Sequence, residues 1–195
     1  MKLGGVELDR LFGGYEIVNT SVDSLPQELA SAISNVNGEL LGATYLPIWY
    51  VGKQVVNGVN HFFICKEIRT TKDRDQMIVG LVINIPPKKV GDGSGASIVE
   101  IIEEAQLDPE LACIFKTATS QLMGVNYKPI AYIGKQVVRG INYHFICEAR
   151  RVVPGSKPYP VTLVINKFQD QMPMVVSIEV IEDSKCANAP LGEWP

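Results

Sequence analysis

The phrase Gly-Lys-Gln-Val-Val-X-Gly occurs twice in this chain, at Gly52 to Gly58 and at Gly134 to Gly140, 82 positions apart. The fold is therefore one that a short segment adopts and then adopts again. The same offset pairs Glu28-Leu29-Ala30 with Glu110-Leu111-Ala112, Gly42 with Gly124, Tyr45 with Tyr127 and Pro47-Ile48 with Pro129-Ile130. It also pairs Cys65 with Cys147, and Leu81-Val82-Ile83-Asn84 with Leu163-Val164-Ile165-Asn166. A chain of 195 residues then divides into two units near the lower size limit for a single core, so two small cores are expected. The expected boundaries are residues 1–104, residues 105–183 and a tail over 184–195.

Within each unit the period of the apolar residues changes once. Leu29, Ile33, Val36 and Leu40 recur at helical spacing up to Gly42, and Leu111, Phe115, Ala118 and Leu122 do so up to Gly124. Ser24 is the capping candidate of the first helix, while Asp108 followed by Pro109 marks the start of the second. After each helix come runs rich in Val, Ile, Tyr, Phe and Thr: residues 45–56, 59–69 and 77–85, then 127–138, 141–152 and 160–168. Asn57-Gly58 reads as a two-residue hairpin turn, and Arg139-Gly140 keeps its glycine half. A helix with one apolar stripe and an antiparallel sheet with one apolar face bury each other. The expected class is therefore α+β, one helix packed on a curved antiparallel sheet of four to five strands in each unit. Residues 86–95 read as a linker. The strand-like Ser97 to Glu103 fits two places, as closing strand of the first unit or as counterpart of Tyr15-Glu16-Ile17-Val18; the short distance to Asp108 favours the first.

Composition removes several functions. A net charge of −3 and a pI near 5.5 leave no concentrated basic face for a nucleic-acid backbone. No apolar run approaches the roughly 18 residues of a membrane span, and the first residues lack a signal-peptide core. Of the four cysteines, Cys65 and Cys147 hold equivalent strand positions in separate repeats, Cys113 falls on a helix and Cys186 in the tail. Four free thiols and a cytoplasmic location are expected. No enzyme is expected either: His61 and Cys65 share a strand face at about 13 Å, too far for a nucleophile and its base. His144 and Cys147 point to opposite faces, and two histidines at non-equivalent positions leave a metal short of ligands. No cofactor is expected, and the oligomeric state is open.

A helix, a strand ending in Gln-Val-Val-X-Gly, a hairpin and a strand opening X-Asn-(Tyr/His) resemble the cystatin superfamily, and its stefin branch most closely. Gln54-Val55-Val56-Asn57-Gly58-Val59-Asn60-His61 and Gln136-Val137-Val138-Arg139-Gly140-Ile141-Asn142-Tyr143 match the stefin phrase Gln-Val-Val-Ala-Gly-Thr-Asn-Tyr at Gln, both Val, Gly and Asn. The resemblance implies two tandem cystatin-like domains and reversible, non-covalent inhibition of papain-family cysteine proteases, in one or two copies. The active-site cleft would be filled by a three-part wedge. Its parts would be a trunk glycine, Gly13 or Gly14; the hairpins Gln54, Val55, Val56, Asn57, Gly58 and Gln136, Val137, Val138, Arg139, Gly140; and a second loop at Ile85-Pro86 or Met172-Pro173. A free trunk is missing from the second unit unless Gly95-Ala96 serves, and Arg139 replaces the family's small residue. Two other readings remain: a non-inhibitory tandem cystatin-like scaffold, and a latexin-like metallocarboxypeptidase inhibitor, a class that lacks the Gln-Val-Val-X-Gly hairpin.

Overall fold

The computed structural model describes residues 2–3, 6–7, 11–12, 15–71, 75–87 and 95–182. Two compact units emerge from the contacts, whose main segments are Gly13–Ile102 and Glu103–Ile181. The expected tail over 184–195 lies outside the described residues.

In the first unit the elements are β1 (Tyr15–Ser21), a 3-10 turn at Val22–Ser24, α1 (Gln27–Glu39), β2 (Ala43–Val56), β3 (Gly58–Arg69), β4 (Gln76–Ile85) and β5 (Ser97–Ile102). These strands lie side by side in chain order, each antiparallel to the next. The second unit has α2 (Pro109–Thr119), β6 (Val125–Val138), β7 (Gly140–Arg151), β8 (Tyr159–Lys167) and β9 (Met174–Val180), again antiparallel neighbours in order. Ser97–Ile102 pairs with β4 through Gly80↔Ile102 to Asn84↔Ser97, so it serves the first unit as closing strand.

The α+β expectation of one helix on a sheet of four to five strands in each unit is corrected by these elements: the fold is mostly β. Two short helices of 13 and 11 residues stand against antiparallel strands of up to 14 residues. The physical reason lies in the long hairpins. Strands β2 and β3 exchange backbone bonds from Ala43↔Arg69 to Val56↔Gly58, a length that three or four helical turns do not span. Each long strand absorbs two bulges at equivalent places, skipping Ile48 and Val51 in β2 and Ile130 and Ile133 in β6. A bulge bends the strand and increases its twist. All four skipped residues are buried.

One face of the first sheet, with Tyr45, Tyr50, Phe63, Cys65, Val79, Leu81 and Ile83, shares a core with Leu29, Ala32, Ile33 and Val36 of α1. The second core joins Leu111, Ile114, Phe115 and Ala118 of α2 to Phe145, Cys147, Val161, Leu163 and Ile165. Asp108 caps α2 as its sequence predicts, its Oδ1 accepting from Leu111 N at 2.8 Å. The start of α1 differs. Pro26 occupies the cap position without a side-chain bond, and Ser24 instead donates to the Ser21 carbonyl inside the 3-10 turn.

The alternate residues Phe62, Ile64, Ile78 and Val82 point to the opposite face and are also buried. Here the two repeats diverge together. A Cβ on Gly80 would lie 2.8 Å from the Phe62 ring, so glycine makes room for the phenyl. At the equivalent positions the second unit has Thr162 and the smaller His144. A cavity of about 120 Å³ opens beside them, lined also by Ile133, Val164, Val176 and Ser177. His144 Nε2 is buried there without a hydrogen-bond partner among the described residues.

The two pairs compensate in volume, so Gly80→Thr should destabilise the chain by about 1–3 kcal/mol through overpacking. Adding Phe62→His should recover part of that loss. The expected sign is a double variant at least about 1 kcal/mol more stable than the sum of the single effects, read by urea denaturation. Strict additivity would show that the two positions do not share this space.

Candidate functional site

Each Gln-Val-Val-X-Gly phrase ends one long strand and opens the next. The pairing runs Gln54↔Asn60, Val55↔Val59 and Val56↔Gly58, and in the second unit Gln136↔Asn142, Val137↔Ile141 and Val138↔Gly140. The turn is therefore centred on Asn57 or Arg139, between a paired valine and glycine, and not on the two-residue loop expected from Asn57-Gly58. Positive φ is confined to its glycine, +99° at Gly58 and +92° at Gly140; neither Asn57 nor Arg139 adopts it. That is why arginine is tolerated where the first unit has asparagine.

Both glycines are held by close approach as well as by conformation. A Cβ on Gly58 would collide with the Ile85 carbonyl oxygen and lie 2.8 Å from Pro86 Cα. On Gly140 it would lie 2.5 Å from the Lys167 carbonyl oxygen and 3.0 Å from Phe168 Cα. Each hairpin tip thus rests on the end of the third strand of its long meander, β4 or β8. A side-chain brace crosses the same three strands. Asn84 Nδ2 donates to Asn60 Oδ1 at 2.8 Å and reaches the Asn57 carbonyl at 3.5 Å; Asn60 in turn donates to Gln54 Oε1 at 3.4 Å. The second unit repeats the two bonds of Asn84, Asn166 Nδ2 donating to Asn142 Oδ1 at 2.7 Å and to the Arg139 carbonyl at 3.4 Å.

These contacts divide the motif by task. Glycine, Gln54 and the following asparagine fix the turn, and the valines are displayed. Val55 and Val137 are each 81% exposed, with Val56 at 46% and Val138 at 43%. Asn57 and Arg139 are exposed, while Gln54 and Gln136 are half-buried. Ile85 and Pro86 lie directly under the first tip. Their counterparts under the second are Lys167 and Phe168, whereas Met172 and Pro173 sit further along the loop before β9. Met172 is 64% exposed and Pro173 is buried. The trunk candidates Gly13 and Gly14 lie outside the described residues. Gly95 has φ +85° and Ala96 is buried at the start of β5, a placement that belongs to the closing strand.

Sequence reasoning did not assign a role to Asn84, Asn166, Lys167 or Phe168. The two asparagines were visible as an 82-residue pair; their brace was not, because it depends on which strand lies third in order. Lys167 Nζ donates to the Gln169 and Gln171 carbonyls at 2.9 and 2.8 Å and ties down the loop that follows β8. The Arg139 guanidinium lies over the Phe168 ring, 5.3 Å from its centroid.

Beneath the first tip, Tyr50 Oη and His61 Nδ1 are 2.9 Å apart in a buried pair. Burial, with the Lys53 cation adding to it, pushes the imidazole down to about 4. Burial and the Glu16 charge push the Tyr50 hydroxyl up to about 12. The pair is therefore neutral at pH 7. Burial also raises the thiols of Cys65 and Cys147 and keeps them protonated; Cys65, Cys113 and Cys147 are unpaired. Cys186 is outside the described residues. Among the described residues no helix is long and apolar enough to cross a membrane.

No protein-family model matches this chain, and no curated protein matches it either.

The lowered His61 value sets a pH dependence of stability. Above about 6.5 the imidazole is neutral in both states. Between there and about 4 only the unfolded chain takes the proton, so stability falls with falling pH, and below about 4 the loss levels off. Replacing both partners, Tyr50→Phe with His61→Phe, should flatten the decline between pH 7 and pH 5, measured as the urea midpoint. An unchanged slope would place the titrating group elsewhere.

Proposed function

We propose that the chain is a reversible, non-covalent inhibitor of papain-family cysteine proteases, of the stefin-like kind its motifs resemble, acting through its two hairpin tips. The observation that carries this reading is the valine standing 81% exposed at each tip, Val55 in the first unit and Val137 in the second, on turns braced by glycine contact and asparagine bonds. A stiff apolar projection loses little conformational entropy when it enters a cleft, and β-branched side chains have few rotamers to lose. In the first unit Ile85-Pro86 lies against the turn and supplies a second contact beside Val55 and Val56. No residue at the tip offers a nucleophile, so inhibition is by occlusion, with the catalytic cysteine covered and unmodified. A working hairpin buries on the order of 800 Å² per partner, the standard protease–inhibitor size. A cytoplasmic setting fits the three described unpaired thiols.

Inhibition of papain by the whole chain, with Val55→Asp and Val137→Asp made separately and together, tests this. Both valines are exposed, so either change should alter stability by less than about 0.5 kcal/mol. A carboxylate buried in the cleft should raise the inhibition constant of that hairpin at least about 100-fold, or about 2.7 kcal/mol. The stoichiometry of each single variant gives the number of working tips. An unsubstituted chain without effect on papain would contradict the proposal and favour a non-inhibitory scaffold.

A further inference from the structure

Position 139 is the one place on the two tips where the repeats present opposite chemistry: neutral Asn57 in the first unit, a cation in the second. Since this position takes no positive φ, the turn does not dictate the residue there. Arg139 is exposed and has no ion-pair partner among the described residues. Its guanidinium lies over the Phe168 ring, 5.3 Å from the centroid. Phe168 is itself anchored: its backbone lies against Gly140, and Lys167 pins the loop that continues from it. The Arg139 carbonyl accepts from Asn166 on the adjoining strand. In the first unit the residue equivalent to Phe168 is Pro86, which offers no aromatic face. Cation and platform thus occur together in the second unit and are both absent from the first.

A guanidinium drawn to an aromatic face by its charge keeps N–H donors enough to meet a carboxylate with two parallel hydrogen bonds. A preset cation at the end of a stiff turn is a recognition element for an anionic group.

We infer that Arg139, held over the Phe168 ring, makes the second hairpin selective for a cysteine-protease cleft whose rim carries carboxylates, while the first hairpin serves clefts with a neutral rim. The inference rests on the inhibitor reading and adds partner chemistry to it. Like charges set against the tip would disfavour a basic rim, so the same residue acts by exclusion as well as attraction.

The test uses the full chain carrying Val55→Asp, which leaves the second hairpin as the working one, with two probes: papain, and papain bearing two added aspartates on the rim of its cleft. The acidic-rim papain should bind at least about tenfold more tightly than its parent. Arg139→Gln should abolish that preference, and Arg139→Lys, which keeps the charge and loses the fork, should retain only part of it. The chain with Val137→Asp, which tests the first hairpin, should show no preference for the acidic rim. If the Val55→Asp chain binds both papains alike, binds neither, or keeps its preference with Arg139→Gln, the inference is overturned and the inhibitor reading stands on the first hairpin. If the unsubstituted chain binds neither papain, both fall.

Discussion

The contact on which the tips depend is the one that leaves no room for a Cβ at Gly58 and Gly140. In each unit the hairpin turn is pressed onto the end of a third strand, against Ile85-Pro86 in the first and Lys167-Phe168 in the second. A larger residue would force the turn away from Ile85-Pro86 or Lys167-Phe168 and break the asparagine brace beside it. With the contact intact, the backbone of residues 54–60 and 136–142 is held on three sides, and the valines at its end project into solvent. Display of an apolar side chain is then a property of the backbone. It costs the tip little order on binding, because that order is already present.

Comparison of the two units separates what the fold requires from what it leaves open. Glycine and asparagine recur in the tips because each meets a constraint of strand geometry, and the bulges at Ile48, Val51, Ile130 and Ile133 recur because both long strands bend alike. Phe62 with Gly80 and His144 with Thr162 are two solutions of one packing problem, the second leaving a small cavity and an imidazole nitrogen without a partner among the described residues. Asn57 and Arg139 differ where nothing in the backbone demands either. Divergence at an exposed, unconstrained position is where a difference in partner can be written.

Much of this was legible in the sequence. The offset of 82 residues, the two helices, seven of the strands and the Asp108 cap all follow from period and turn chemistry, which are local. The class was not. Expecting a helix on a sheet in each unit underweighted strands that run 14 residues through bulges, because a bulge preserves β propensity while breaking the alternation from which a strand's length is judged. Asn57-Gly58 suggested a two-residue turn, since both residues tolerate positive φ; the register one step further out placed that conformation on the glycine alone. Ser24 lost its capping role when Val22–Ser24 folded as a separate turn. In the candidate site the glycines and valines were read as one motif, and only the third strand revealed that some of them hold the turn while others are held out.

The account is tested most directly by amide hydrogen exchange of the whole chain with and without papain whose active cysteine carries a small blocking group. Slowed exchange concentrated at residues 55–58 and 137–140, with the adjoining 85–87 and 168–172, is the result expected of rigid tips entering a cleft. Exchange at both tips unaltered by saturating protease, or protection confined to the exposed faces of the two helices, would contradict it.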